Sequence, residues 1–131
     1  MPLTVLDHVN MRTARLGEMT AFYAEVLGLR PGVRPPFSFG GAWLYCDGRA
    51  AIHLVEVATA PQGKEPRIEH FAFKAEGLAD FLATLRRMDV AYRISIVPEW
   101  GIRQVNIRDP DGNHIEVQFA PEEDADLSDF P

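Results

Sequence analysis

The sequence predicts an α+β fold: two βαβββ modules, residues 4–58 and 67–120, within one domain over residues 1–121. Strand-like and helix-like hydrophobic patterns follow each other in the same order twice. His8 and His70 stand at the same place in the two copies, 70 − 8 = 62 residues apart. An Asp-Gly hairpin signal also recurs near the end of each copy. Because a helix covers only one face of a short sheet, we expect the uncovered faces to pair into an open, cup-shaped mixed sheet.

The elements of the first module are assigned from their hydrophobic period: two for a strand, and three to four for a helix. Thr13 is predicted to cap the helix, and Gly28 is predicted to end it because glycine tolerates positive φ. Asp47-Gly48 predicts a tight turn between the last two strands. The predicted elements are a strand over 5–12, a helix over 16–27, a loop over 30–41 with a short strand near Val33, and strands over 42–46 and 50–57.

The second module follows a polar connector over 59–66 and repeats the same programme. Its Asp109-Pro110-Asp111-Gly112 segment is similar to a cation-binding loop, but hairpin chemistry explains it better. The predicted elements are a strand over 68–74, a helix over 78–88, and strands over 92–97, 104–108 and 114–119.

Composition restricts the classes of function. The chain has 131 residues, 47% of them hydrophobic, and a net charge of −6, which argues against binding to nucleic acid or anionic membrane. Five acids lie in residues 122–131, which are predicted to form a solvated, mobile tail. The single cysteine, Cys46, excludes an internal disulfide. With no visible signal peptide and no long apolar run, we expect a cytoplasmic protein.

Polar residues lie on the strand faces that are predicted to line the cup. They are His8, Asn10, His53, His70, Gln104, Asn106, Glu116 and Gln118. Imidazole and carboxylate groups suit a divalent metal, and a buried carboxylate such as Glu116 needs a metal or another partner. Duplication places four of them, His8, His53, His70 and Glu116, at two pairs of equivalent points, so the sequence predicts that they converge on one ion.

Four segments together resemble the vicinal oxygen chelate superfamily, which includes glyoxalase I, extradiol dioxygenases and the bleomycin-binding proteins. They are Leu6-Asp7-His8-Val9, residues 21–29, Glu69-His70-Phe71-Ala72-Phe73, and residues 108–116. The resemblance covers nearly all of residues 4–119 and implies a glyoxalase-like fold. It also implies that the first and last strand of each module supply the metal ligands, which here are His8, His53, His70 and Glu116. Glyoxalase I commonly has Glu at the place of His53, so this chain departs from that enzyme.

The resemblance implies a metal-dependent glyoxalase-like isomerase or lyase that holds two neighbouring oxygens of a small substrate on the ion. Glu116 and His53 are the expected catalytic residues, and the metal is Zn, Fe, Mn, Ni or Co. Two alternatives stay open: a small Fe(II) extradiol-type dioxygenase in which His53 does not bind the metal, and a metal-independent protein that binds an antibiotic. The resemblance also implies a homodimer.

Other side chains are expected to contact the substrate. Asn10 and Asn106 offer polar contacts, Arg103 is suited to a carboxylate or phosphate, and Trp43 and Phe37 are suited to an apolar wall. Weaker candidates of the same kinds are Arg12, Arg34, Phe39, Tyr45 and Trp100. The sequence names neither the substrate nor the metal. It also leaves open whether the site is built within one chain or across a dimer.

Overall fold

The computed structural model describes residues 5–63 and 66–131, and the chain divides into two compact units at Gly63. We call residues 5–63 the first module and residues 66–131 the second module. Residues 1–4, 64 and 65, which include the start of the predicted first module and part of the predicted connector, lie outside the described residues. Within the described ranges, none of the helices is long and apolar enough to cross a membrane.

The first module has the predicted βαβββ order. Its sheet runs β1-β4-β3-β2, with β1 parallel to β4 and the other neighbours antiparallel. The elements are β1 (Val9–Thr13), α1 (Leu16–Glu25), β2 (Arg30–Pro31), β3 (Gly41–Cys46) and β4 (Arg49–Glu56). The short strand expected near Val33 therefore lies two residues earlier and spans only two residues.

The second module repeats this architecture. Its sheet runs β5-β8-β7-β6, with β5 parallel to β8. The elements are β5 (His70–Lys74), α2 (Leu78–Arg87), β6 (Arg93–Ile96), β7 (Arg103–Arg108) and β8 (His114–Phe119). Two four-stranded mixed sheets and two helices confirm the predicted α+β class and the two βαβββ modules.

The backbone pairing reproduces the sequence repeat. Asn10 lies opposite His53 between β1 and β4, and Ala72 lies opposite Glu116 between β5 and β8. The two offsets are 72 − 10 = 62 and 116 − 53 = 63, which are the offsets of the sequence repeat. Each module therefore holds its first strand against its last strand in the same register.

Each module has a buried apolar set drawn from its helix and its strands. The first set is Met19, Tyr23, Leu44, Ile52 and Leu54, and the second is Leu78, Leu82, Leu85, Val105, Ile107, Ile115, Val117 and Phe119. Burial of a side chain of this size contributes about 1.5–3 kcal/mol, so these residues fix the strands that carry the polar groups.

The local signals are confirmed in part. Asp47 and Gly48 have φ of 50° and 76°, which matches the positive φ that a tight hairpin turn requires. Gly28, with φ of 73°, follows the end of α1 as predicted. The predicted cap by Thr13 is wrong, because α1 begins after Arg15 and has no side-chain cap. Thr13 is instead buried at the end of β1, and its hydroxyl oxygen accepts a hydrogen bond from the Arg15 amide at 2.9 Å.

The acidic C-terminal segment, expected to be a solvated tail, is tied to the second module. The Glu123 carboxylate accepts hydrogen bonds from the backbone amides of Gly77 and Leu78, at the start of α2. Further along, the backbone of Phe130 pairs with that of Tyr92. Unpaired amides at the start of a helix attract carboxylates. Glu123 therefore has structural partners, which composition alone does not show.

Candidate metal centre

His8 directly precedes β1, whose first paired residue is Val9. Nδ1 of His8 lies 2.7 Å from Oδ2 of Asp7, and this hydrogen bond lowers the pKa of the Asp7 carboxyl. The contact occupies Nδ1 and leaves Nε2 as the ring nitrogen for a metal. A carboxylate on the far nitrogen of a histidine is the usual support of a metal ligand.

His53 lies in the middle of β4 and is 8% exposed. Its ring is stacked between that of His8, at 3.8 Å and 9°, and that of Trp43, at 4.0 Å and 11°. Nε2 of His53 donates to the carbonyl oxygen of Ala50 at 3.1 Å, so the lone pair of the neutral ring is on Nδ1. Burial, followed by the charge of His8, lowers the pKa of His53.

The stacking restricts how His8 and His53 can bind an ion. A metal lies in the plane of the imidazole that binds it, along the lone pair of the nitrogen. Two rings that are parallel within 9° and 3.8 Å apart share no such in-plane point. In this arrangement, His8 and His53 do not bind the same ion.

Aromatic groups continue outward from Trp43 in the loop between β2 and β3. The ring of Phe37 lies 6.4 Å from that of Trp43 and stacks on that of Phe39 at 4.9 Å. The guanidinium of Arg34 stands over both phenyl rings, at 5.2 and 5.6 Å from their centres. Phe37 and Phe39 are 43% and 44% exposed, so the outer end of this row presents apolar surface to solvent.

In the second module, His70 begins β5 and faces Glu116 of β8. Nε2 of His70 is 3.8 Å from Oε1 of Glu116, which is 6% exposed. Two ligand atoms bound to one ion at about 2.1 Å and at tetrahedral angles lie about 3.4 Å apart. His70 and Glu116 could therefore bind one ion with little movement. The other carboxylate oxygen, Oε2, accepts a hydrogen bond from Nε2 of Gln118 at 2.6 Å.

A chain of polar contacts extends from the far side of His70. Nδ1 of His70 contacts the carboxylate of Glu69, whose Oε1 lies 3.1 Å from Nδ1 of His114. Nε2 of His114 lies 2.8 Å from Oδ1 of Asn106. The hydrogen bonds with His70 and then His114 lower the pKa of Glu69, and the bond with Glu69 raises the pKa of His70. Glu69, His70 and His114 bring three ligand atoms within 4.8 Å of one another.

Neither Glu69 nor His114 is among the site residues predicted from the sequence. Two signals were present. An acid precedes the repeated histidine in both modules, as Asp7-His8 and Glu69-His70. The repeat also sets His114 opposite His70 in the parallel pairing of β5 with β8.

The predicted substrate residues have different surroundings. Asn10 is exposed on β1, whereas Asn106 is bonded to the His114 ring and to neighbouring groups of its own sheet. Arg103 donates to the carbonyl oxygens of Glu123 and Gly101, at 3.1 and 2.7 Å, so its guanidinium supports the backbone. Trp43 and Phe37 belong to the aromatic row described above.

The chain is similar to a known protein family over most of its length. Residues 5–117 match the model of the Glyoxalase/Bleomycin resistance protein/Dioxygenase superfamily. The chain is 27% identical over 126 residues to a metapyrocatechase of Geobacillus stearothermophilus, covering 89% of this chain and 37% of the relative. It is 26% identical over 118 residues to a manganese-dependent 2,3-dihydroxybiphenyl 1,2-dioxygenase of Geobacillus genomosp. 3, covering 83% and 37%.

The chain thus spans 37% of the length of each of these two curated relatives. Among solved structures, it is similar to a glyoxylase/bleomycin resistance protein/dioxygenase domain from Frankia sp. EAN1pec. The TM-score is 0.74 at 20% identity, and the match covers 94% of this chain and 96% of that chain. The family match spans most of the sequence, and the fold and the repeat agree with it. The chain therefore belongs to the Glyoxalase/Bleomycin resistance protein/Dioxygenase superfamily.

Proposed function

We propose that the protein is a metal-dependent dioxygenase of the extradiol type, with His8, His70 and Glu116 as the metal ligands. The observation that carries this proposal is the stacked pair of His8 and His53. Because those two rings do not share an ion, the four candidate ligands reduce to two histidines and one carboxylate. This set is the facial triad of non-haem Fe(II) oxygenases.

The surroundings of the three residues support ligation. Asp7 and Glu69 occupy Nδ1 of His8 and His70, which directs Nε2 of each ring toward a metal. Glu116 is buried, and one of its oxygens faces His70. A buried carboxylate without a cation would be unfavourable by several kcal/mol.

In this proposal, His53 holds and moves a proton. Both of its faces are covered, and the bond from its Nε2 to Ala50 fixes the ring, which leaves Nδ1 as a proton acceptor. Burial keeps the ring neutral near pH 7 because it lowers the pKa. A neutral imidazole of fixed orientation is suited to remove a proton from a substrate hydroxyl.

The bound metal would supply Lewis-acid polarisation of neighbouring substrate oxygens. We propose an aromatic diol as the substrate. The exposed rings of Phe37 and Phe39 next to Trp43 offer an apolar wall for such a molecule. The names of the two curated relatives, a metapyrocatechase and a 2,3-dihydroxybiphenyl 1,2-dioxygenase, support the same class.

The isomerase or lyase reaction implied by the resemblance is less well supported. It requires Glu116 to act as a base, but its two oxygens face His70 and accept from Gln118. That reaction stays a prediction, as does the metal-independent binding of an antibiotic.

The test uses protein stripped with a chelator and reloaded with Fe(II) or Mn(II) without oxygen. We expect oxygen uptake with catechol or 2,3-dihydroxybiphenyl only after reloading, and one tightly bound ion per chain. His8→Ala, His70→Ala and Glu116→Gln should each remove that same ion, whereas Glu76→Gln, an exposed control, should retain it. Oxygen uptake by the stripped protein, or an ion that persists in all three variants, would contradict the proposal.

A further inference from the structure

We propose that Glu69 and His114 are positioning residues, which hold the imidazole of His70 with Nε2 available to the metal. This inference rests on the proposed function only in taking His70 as a ligand. Neither residue is among the four predicted ligands, and the structure joins both to His70 through Nδ1.

Asn106 fixes the orientation of the His114 ring. Nδ2 of Asn106 lies within 3.3 Å of three oxygens, the carbonyls of Arg93 and Gln104 and the hydroxyl of Ser95. The amide nitrogen is therefore on that side, and Oδ1 is the atom that faces His114 at 2.8 Å. Nε2 of His114 donates this hydrogen bond, so the ring is anchored to β7. Its Nδ1 then donates to the Glu69 carboxylate when the ring carries both protons, because a carboxylate only accepts.

The two carboxylate oxygens of Glu69 contact two different imidazole rings. Oε1 lies 3.1 Å from Nδ1 of His114, and Oε2 contacts Nδ1 of His70. The Glu69 side chain is largely exposed, so without His114 its carboxylate would be free to change rotamer. His114, only 11% exposed in its side chain, supplies the fixed point.

The first module lacks this arrangement. There, Asp7 contacts His8 in the same way, but the position equivalent to His114 is Ala51 (114 − 63 = 51). His8 is instead stacked on His53. The two candidate ligands are therefore held by different means, and loss of His114 should affect His70 alone.

The same three side chains also suit a separate cation, because their ligand atoms lie within 4.8 Å of one another. In that case, Nδ1 of His70 would be a ligand and would not carry a proton to Glu69. The two interpretations make opposite predictions for stoichiometry. A positioning pair changes the affinity of one ion, whereas a separate site changes the number of ions.

The experiment measures Zn(II) affinity by competition with a chelator, and Zn(II) stoichiometry by elemental analysis, in the full chain. Glu69→Ala and His114→Leu should weaken binding by about 10–100-fold with the number of ions unchanged. Glu69→Gln, which can still accept from Nδ1, and His114→Asn, which can present a nitrogen near the place of Nδ1, should recover part of the affinity. Glu76→Gln is the matched acidic control and should behave as wild type.

A second readout is independent of metal. The ¹⁵N spectrum of the imidazoles in the metal-free protein should show His70 with its proton on Nδ1, and Glu69→Ala should convert it to a mixture of tautomers. A wild-type spectrum and affinity in Glu69→Ala and His114→Leu would overturn the inference, as would loss of one of two ions in His114→Leu. If His70→Ala retained the ion, the proposed function would fail, whereas the tautomer shift in Glu69→Ala would still support positioning.

Discussion

Where the first module has Trp43 opposite His53 between β3 and β4, the second has Asn106 opposite Glu116 between β7 and β8. The offsets are 106 − 43 = 63 and 116 − 53 = 63, so these pairs are equivalent positions of one repeat. The first pair is a stack of flat rings, whereas Asn106 binds a histidine and Glu116 accepts from a glutamine. The backbone of the repeat has been kept while the chemistry on it has diverged.

In the proposed function, this divergence gives the two modules different tasks. A carboxylate in the second module adds negative charge for an ion, and a neutral imidazole in the first module can accept a proton. We therefore expect substitutions at equivalent positions of the two modules to have different effects.

The largest effect is expected at His53 and Glu116. His53→Gln should lower the turnover of the reloaded enzyme by about 10²–10⁴-fold, because a proton acceptor is lost, and should leave the affinity for the ion unchanged. Glu116→Gln should lose the ion itself. Steady-state oxygen uptake together with metal titration separates the two. Equal loss of the ion in both variants would show that His53 is a ligand, and the equivalence of the two positions would be restored.

The next effect concerns the backbone at Gly41 and its counterpart Gln104 (104 − 41 = 63). A Cβ at Gly41 would lie 2.2 Å from the carbonyl oxygen of Leu54, so Gly41→Ala should destabilise the protein by about 3 kcal/mol. Gln104→Ala should cost about 1 kcal/mol or less, since it removes the contact of Gln104 with Ser95. Urea denaturation measures both, and similar losses would mean that the two sheets are equally tight at this point.

A smaller effect distinguishes the two helices. The start of α1 has no side-chain cap, whereas Glu123 accepts from the first amides of α2. Glu123→Ala should therefore cost about 1 kcal/mol of stability, the usual value of a cap. Glu122→Ala, on the exposed neighbour, should change stability by less than about 0.5 kcal/mol. If thermal denaturation gave the same midpoint for both variants, the C-terminal segment would contribute nothing to α2.

The smallest effect is a difference in titration between the modules. In the metal-free protein, His53 should titrate below the ordinary histidine pKa of 6.5, and His70 above it. The neutral state of His53 contributes stability that is present above pH 6.5 and is lost as the pH falls toward its lowered folded pKa. The charged state of His70 contributes stability below pH 6.5 that is lost as the pH rises through its raised pKa. NMR titration of the imidazole protons measures both, and the reverse order would contradict the contrast.

Much of the fold was predictable, because it depends on features that repeat locally. The order of the strands and helices follows from hydrophobic period, and the Asp47-Gly48 turn follows from its backbone preference. Two failures have the same cause. Glu123 binds Leu78 and His114 contacts Glu69, and in each case the two residues are 45 positions apart in the sequence. Local propensity carries no information about which exposed acid finds a distant partner, whereas the repeat contained signals for Glu69 and His114 that local patterns do not show.

The candidate site was predictable only as a set of residue types. Duplication singled out His8, His70 and Glu116 as candidates, and the structure shows a polar partner for each of them. The role proposed for His53 could not be derived from its position in the repeat. It depends on the angle between two rings, which arises from packing against Trp43.

The parallel pairing of β1 with β4 also has a consequence for folding order. Asn10 and His53 are partners 53 − 10 = 43 residues apart, whereas the β3–β4 hairpin closes over a two-residue turn. Short loops close with a smaller loss of chain entropy, so we expect the hairpin to form early and β1 to dock late. His8, which directly precedes β1, would then reach its final place only near the end of folding. A chain in which β1 had not yet docked would have the β3–β4 hairpin but would lack one of the proposed metal ligands.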